Sequence, residues 1–374
     1  DSVTYDITAW SLPYAFGLQA YASNQKLDVK GEDVKVEQVA AKNSGYGYLI
    51  PYNSVESAKA LASLLKKGIK VRVTEKPMSY KGVSYPAGSL LVLRTSNQSL
   101  WNVTEMGKLL PLPAVQLETG FMEKGPDLGS ANVRVIKAPK VAMLTGQEVS
   151  SLNAGEVWHY MDQTLDYPVS LINAADMNRI SLSEYDVLIM PSGNYKALND
   201  KAANDKLKDF VRSGGKIIAM GNTVYQMSEG EWMIKGKEEK KDDKDKNEYA
   251  HLRRYAERER DEAVNNIPGA IYRVQLDETH PLAFGFPNYY YTLKLDTDVY
   301  DFLKEGWNVG VIKKDDYVTG FAGVNTKAKL KDGLIFGVQP IGRGSVVYLA
   351  DDPLFRMFWE NGKLLFANAI FMVE

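Results

Sequence analysis

The stretch GGKIIAMGNTVYQM, residues 214–227, has the form of a short strand that enters a tight turn and then a helix. In an α/β fold, that turn is where a nucleophile is presented. A cysteine there would attack an amide as its thiolate, assisted by a neighbouring histidine. The turn position is Gly221, and the chain has no cysteine. Asn222 and Thr223 can exchange hydrogen bonds but are poor nucleophiles unaided. The late strand VVYLADDP ends in Asp351, Asp352 and Pro353, so a histidine base is missing too.

Other chemistries fare no better. Ser192, in MPSGN, follows a strand, but Met190 and Asn194 stand where a nucleophile elbow has glycines. Ser192 reads as a turn-forming or ligand-contacting serine. A catalytic zinc needs three protein ligands and an open position. Of the three histidines, His159 is followed by Asp162, His251 lies in a charged run and His280 precedes Pro281, so no pair has ligand spacing. His159 reads as a partly buried helix residue and His280 as a turn residue that bonds backbone. SGGK (213–216) precedes a strand, whereas a phosphate loop follows one. Gly342-Arg343-Gly344 reads as a turn between strands. Asp351 and Asp352 alone supply too few oxygens for a divalent cation. One of them capping the terminal helix, at about 1 kcal/mol, is the simpler reading.

Positioning these residues requires a sheet. KVAMLTG, PVSLIN, YDVLIMPSGN and KIIAMGN are near-continuous apolar strands that alternate with the helical stretches GEVWHYMDQTL and NDKAANDKLKDFVRSGG. Such runs point to a parallel sheet covered on both faces. The expected fold class is α/β, a flavodoxin-like, doubly wound, mostly parallel sheet over 138–374, preceded by a small α/β domain and connector over 1–137. Ligands are then expected at the carboxyl ends of the strands. There Thr145, Gln147, Ser192, Asn194, Asn222, Thr223, Asp351, Asp352 and Arg356 would converge as a ligand-binding set.

In the first domain, a short helix with Gly17 inside it is expected after Pro13, strand and loop over 24–44, and a buried strand in GYGYLIPY. SVESAKALASLLKKG is a helix with Ser54 as cap and Gly68 as stop. IKVRVTEKP and VSYPAGSLLVLRT hold strands, and NVTEMGKLLPLPAV a helix. In the second, 228–266 is a charged insertion, solvated and partly helical. AIYRVQLDETHPLAFGF returns to strand and turn. LIFGVQPIGRGSVVYLADDP is hairpin-like, and FRMFWENGKLLFANAIFMV holds the terminal helix.

The 374 residues suffice for two or three domains. A net charge of −2 gives no bulk attraction to nucleic acid or to an anionic membrane. No apolar run reaches membrane-spanning length. Zero cysteines exclude disulfides and thiolate metal sites. The start at Asp1, without a methionine or a signal sequence, reads as a piece from which something upstream was removed.

GGKIIAMGN, DVLIMPSGN and RGSVVYLADDPLFRMFWENGKLLFANAI together resemble the glutamine amidotransferase-like domain at the C-terminal end of bacterial carboxypeptidase A-like zinc peptidases. TYDITAWSLPYAFGL, YLIPYNSVESAKALASLLKKGIKVRV, EKGPDLGSANVRVIKAPKVAML and GAIYRVQLDETHPLAFGF are similar to other parts of that region, in the same order. The resemblance implies a non-catalytic accessory region of an exported, periplasmic or cell-surface protein. Its partner would be an upstream peptidase domain holding the zinc, and its ligand a peptide or peptidoglycan fragment. No cofactor is expected in this chain. The amidotransferase cysteine would map to Gly221, and its histidine to Asp351 or Asp352, where an active enzyme has His-Pro-Glu. Two other readings stand beside this one. The chain could be a free-standing hydrolase or amidase at the same strand ends. It could be a scaffold for subunit contacts through aromatic stretches such as FPNYYYTL and FRMFW.

Overall fold

The computed structural model describes residues 10–28, 30–31, 45–110, 114–237, 252, 254–314 and 316–374. His251, residues 238–250 and 253 of the charged insertion, and most of 24–44 lie outside the described residues. The first helix is Leu12–Ala15; Pro13 is in its first turn and Gly17 lies beyond its end.

The N-terminal unit contains β1 (Gly47–Ile50), β2 (Arg72–Thr74), β3 (Met78–Tyr80), β4 (Val83–Tyr85), β5 (Leu90–Leu93), β6 (Val115–Leu117) and β7 (Val133–Val135). Five of these form a sheet in the order β6-β1-β5-β2-β7, antiparallel throughout, and β3 pairs with β4. The helix Val55–Lys66 is capped by Ser54, whose hydroxyl accepts from Ser57 N–H, as its sequence predicts. Alternation along β1 sends Tyr48 and Ile50 into the main core and Leu49 into a smaller cluster on the sheet's other face. The main core continues without a break from Tyr48 and Leu61 to Leu188, Ile218 and Phe366.

The large sheet starts with β8 (Val141–Thr145), β9 (Val169–Asn173), β10 (Val187–Met190) and β11 (Lys216–Met220). It continues with β12 (Gly269–Leu276), β13 (Tyr289–Lys294), β14 (Trp307–Ile312), β15 (Tyr317–Phe321), β16 (Gly333–Ile341) and β17 (Gly344–Leu349). Its order is β13-β12-β14-β16-β17-β11-β10-β8-β9, with β15 also on β12. The strands β9, β8, β10, β11 and β17 run parallel, and their apolar runs are buried except on the edge strand β9.

The other half corrects the expected fold. β12 to β16 pair antiparallel with one another, and β16 joins β17 antiparallel. The molecule is therefore not a doubly wound, flavodoxin-like parallel sheet but a ten-stranded mixed sheet beside a five-stranded antiparallel one. FPNYYYTL is not a surface patch: it leads into β13, where Tyr290 is buried.

The antiparallel half is also strongly curled. β13 lies four places from β17, which in a flat sheet would separate them by about 19 Å. Yet Thr292 and Lys294 of β13 donate to Asp351, two residues past the end of β17. The edge strand β13 therefore folds back over the carboxyl ends of the parallel strands.

The terminal helix Glu360–Phe371 locks this arrangement from below. Asn368, fully buried, donates to the carbonyls of Leu282 and Phe284, and Tyr160 Oη donates to Lys363 O at 2.6 Å. Gly362 touches the loop after β17 so closely that a Cβ would stand 1.9 Å from Pro353 O. Gly362→Ala must push that loop away. We expect a loss of about 1–3 kcal/mol, read as a lower urea midpoint, with the Asp351–Arg356 loop losing amide-exchange protection first.

Candidate functional site

The carboxyl ends of β10, β11 and β17 meet at one place. Gly221 turns the chain from β11 into the helix Asn222–Glu229 with φ +51° and ψ −124°, a backbone that a side-chain-bearing residue adopts only under strain. Its N–H donates to Leu349 O at 2.9 Å. A Cβ here would lie 3.1 Å from Ser192 Oγ. Ser192 Oγ accepts the Asn222 N–H at 3.2 Å, and Asn222 Nδ2 donates to Gly193 O at 2.6 Å. Thr223, buried, donates to Pro191 O at 2.7 Å. The turn is fixed by its own hydrogen bonds and presents no nucleophile.

The chemistry of the site lies on its far wall. Asp351 is buried and accepts from Lys294 Nζ at 2.7 Å and from Thr292 Oγ1 at 2.6 Å. Lys294, wholly buried, also donates to Asp296 Oδ1 at 2.8 Å and to Asp298 O at 2.6 Å. Burial alone would pull the Lys294 pKa down, but Asp296 and Asp351 hold it above the ordinary lysine value. Burial pushes the Asp351 carboxyl up to about 6 against the pull of Lys294. Asp298 is also raised, by burial and then by Asp296.

Beside this ion pair stand two carboxyl groups that face one another, Glu156 and Asp352. Asn153 Nδ2 donates to both, at 3.2 Å to Glu156 Oε2 and 2.7 Å to Asp352 Oδ2. Glu156 Oε1 accepts the Arg356 N–H at 2.6 Å, and Asp352 Oδ1 accepts the Leu354 N–H at 2.8 Å. Burial, then the nearby Asp352 charge, pushes Glu156 up to about 9; burial raises Asp352 as well. At neutral pH the pair shares one proton, because two buried negative charges this close repel. The loop that supplies these N–H groups carries Arg356 and Met357 at φ +50° and +54°.

Asn153, Glu156, Asp296, Asp298, Asp351 and Asp352 line a cavity of about 820 Å³ together with Leu152, Gly155, His159, Leu293, Leu295, Phe355 and Met357, and Lys294 and Thr292 stand behind that lining. Of the ligand-binding set expected from sequence, Ser192, Asn222, Asp351, Asp352 and Arg356 line it. Thr145, Gln147, Asn194 and Thr223 do not. Thr145 Oγ1 donates to Ile172 O, Gln147 is exposed on the turn after β8, Asn194 N–H donates to Glu148 O, and Thr223 is buried beneath the turn. The expected cap is corrected too: Asp352 caps the short turn at Leu354, and no side chain caps the terminal helix. His280 does bond backbone, its Nδ1 accepting the Leu282 N–H at 3.1 Å. His159 is exposed on its helix at the cavity rim. Asn153 and Glu156 were not singled out in the sequence. Their i, i+3 spacing on a helix capped by Ser150 puts them on one face, which is the signal that was available.

Among the described residues, no group of three or more His, Asp or Glu side chains could hold a metal ion, and no helix is long and apolar enough to cross a membrane. No family model matches the chain, and no curated protein does. Solved structures that are similar in part include the following three. A ThuA-like protein from Bacteroides uniformis is 15% identical over 62% of this chain and 89% of its own, with a TM-score of 0.37. A glutamine amidotransferase from Thermotoga maritima is 10% identical over 62% of this chain and 96% of its own, with a TM-score of 0.36. A β-galactosidase from Bacillus circulans is 14% identical over 62% of this chain but only 30% of its own, with a TM-score of 0.37. Likenesses this distant carry no argument about what the chain does.

The shared proton makes stability depend on pH. The unfolded chain releases the Glu156 proton near the ordinary value of 4.5, whereas the folded chain keeps it to about 9. Between those values the folded state binds more protons, so stability falls as pH rises. Glu156→Gln removes that titration. Relative to the parent, the variant should gain about 1–3 kcal/mol between pH 5 and pH 9, after discounting for partial solvent access, as measured by urea unfolding. A gap that stays constant with pH would show that Glu156 titrates normally.

Proposed function

We propose that this chain is a non-catalytic ligand-binding accessory region, and that the cavity at the strand ends holds a peptide or cell-wall fragment. The observation that carries this reading is the pairing of a preorganised polar cavity with a turn that presents only Gly221. A binding site needs a concave surface with a few fixed polar groups, and the carboxyl wall and the Asn222 turn are of that kind. Thiolate chemistry needs a cysteine, and this chain has none. Following the sequence resemblance, we place the region downstream of a zinc carboxypeptidase-like domain in an exported bacterial protein. The zinc and the peptidase residues would belong to that domain. That domain would be the partner of this chain.

The test is calorimetric titration of the full chain with peptide mixtures and with a peptidoglycan digest, beside an assay for glutamine and small-amide hydrolysis. Gly155 is exposed on the cavity wall, and a Cβ there meets nothing within 4 Å. Gly155→Trp should therefore fold normally and fill the cavity. We expect binding by the parent, at least about tenfold weaker binding by the variant, and no turnover by either. Turnover of glutamine or amides, or binding indifferent to Gly155→Trp, would contradict the reading.

A further inference from the structure

We propose that the turn Phe355–Phe358 is a proton-operated gate in the cavity wall: the proton shared by Glu156 and Asp352 holds it closed against the helix Ser151–His159, and loss of that proton releases it. The gate is a property of the wall and does not depend on which ligand the cavity takes.

The turn is anchored at both ends. Leu354 and Trp359 are wholly buried, and Trp359 Nε1 donates to Tyr291 O at 3.1 Å. Between them, Phe355, Met357 and Phe358 are half-buried and Arg356 is exposed. Phe355, Arg356 and Met357 line the cavity, so a movement of the turn opens or closes its wall.

The turn is also strained. Arg356 and Met357 stand at φ +50° and +54°, a region that residues with side chains hold only where their surroundings impose it. The Arg356 N–H donates to Glu156 Oε1 at 2.6 Å, which ties this strained backbone to the helix. Just ahead of the turn, Asp352 accepts the Leu354 N–H at 2.8 Å and Asn153 Nδ2 at 2.7 Å. Hydrogen bonds that tie the loop to the helix therefore meet at two carboxyl groups.

Those carboxyls stay together because they hold a proton between them. With it, one is neutral and donates to the other. Without it, two buried negative charges face one another across a single amide donor, Asn153. The charged groups around them do not relieve that repulsion. Asp296, Asp298 and Asp351 line the same cavity and add to it. Lys294 is engaged by Asp351 and Asp296, and Lys363 of the terminal helix by Glu360. Arg356 carries its guanidinium over the Phe355 ring, and His159 stands at the rim on the same helix as Glu156. Separating the pair does relieve it: the Arg356 N–H leaves Glu156, and the turn relaxes toward ordinary backbone. The fold keeps the Glu156 proton to about 9, so the gate is closed at neutral pH and opens in alkali.

The test is NMR of the full chain labelled with 13C-methyl methionine, with a neutral gadolinium chelate reporting solvent access. We expect relaxation of the Met357 methyl by the chelate to rise at least about threefold between about pH 7 and pH 10, as a local opening should. Met143 and Met190, buried in the core, should not change. In Glu156→Gln the amide donates to Asp352 at every pH, so the rise at Met357 should vanish. Asp352→Asn supplies the same donor from the other side and should behave alike if the first variant does not fold. A Met357 response that is flat in the parent, or that rises equally in these variants, overturns the gate. A rise shared by Met143 and Met190 overturns it too, because the whole chain is then opening. No ligand enters this measurement, so its outcome and that of the peptide and peptidoglycan titrations are independent.

Discussion

The ion pair between Lys294 and Asp351 is the constraint on which the rest of the site depends. It connects the edge of the antiparallel half to the loop that leaves the central strand β17, across four strands of pairing order. Neither side chain reaches solvent to any useful extent, so each charge depends on the other. Desolvating both costs several kcal/mol, and the pair is tolerable only because Thr292, Asp296 and the Asp298 carbonyl complete its hydrogen bonds. What such a pair supplies is geometry. A sheet edge that could swing away is held over the strand ends, and a cavity forms beneath it.

The loop from Asp351 to Arg356 inherits its shape from both sides. Lys294 fixes its start, and Gly362 of the terminal helix presses on Pro353 from behind. Between those contacts, Asp352 and the Arg356 N–H meet the helix Ser151–His159 through Asn153 and Glu156. The carboxyl pair is thus built from segments about 200 residues apart, and burial where they meet raises both partners. The same crowding accounts for the left-handed backbone at Arg356 and Met357: the loop reaches its hydrogen bonds only by leaving the ordinary helical region.

Much of the parallel half was legible in the sequence, because strands buried on both faces read as unbroken apolar runs. VAMLT, VLIM and KIIAM could be little else, and the helices between them carried ordinary caps at Ser150 and Asp200. The antiparallel half was not legible for physical reasons. YYYTLK reads as an aromatic patch, and its lysine as solvated, unless one knows that Asp351 waits for it. WNVGVI and YVTGF are short, contain glycine, and pair with strands far along the chain, so no local period announces them. At the site, the empty turn at Gly221 was visible from residue types alone. The partner of Asp352 was not, since helical spacing places Glu156 on a face without saying what that face meets.

The account turns on the coupling between Lys294 and Asp351, and a double-mutant cycle measures it most directly. Lys294→Met, Asp351→Asn and the double variant would be compared with the parent by urea unfolding. Each single change should cost about 3–5 kcal/mol, because Lys294→Met leaves Asp351 buried without its cation and Asp351→Asn leaves the buried Lys294 with Asp296 alone. The double variant should cost less than their sum by about 1–3 kcal/mol. Single effects that add to within about 0.5 kcal/mol would mean that the two groups do not depend on one another, and that something else holds the antiparallel edge over the cavity.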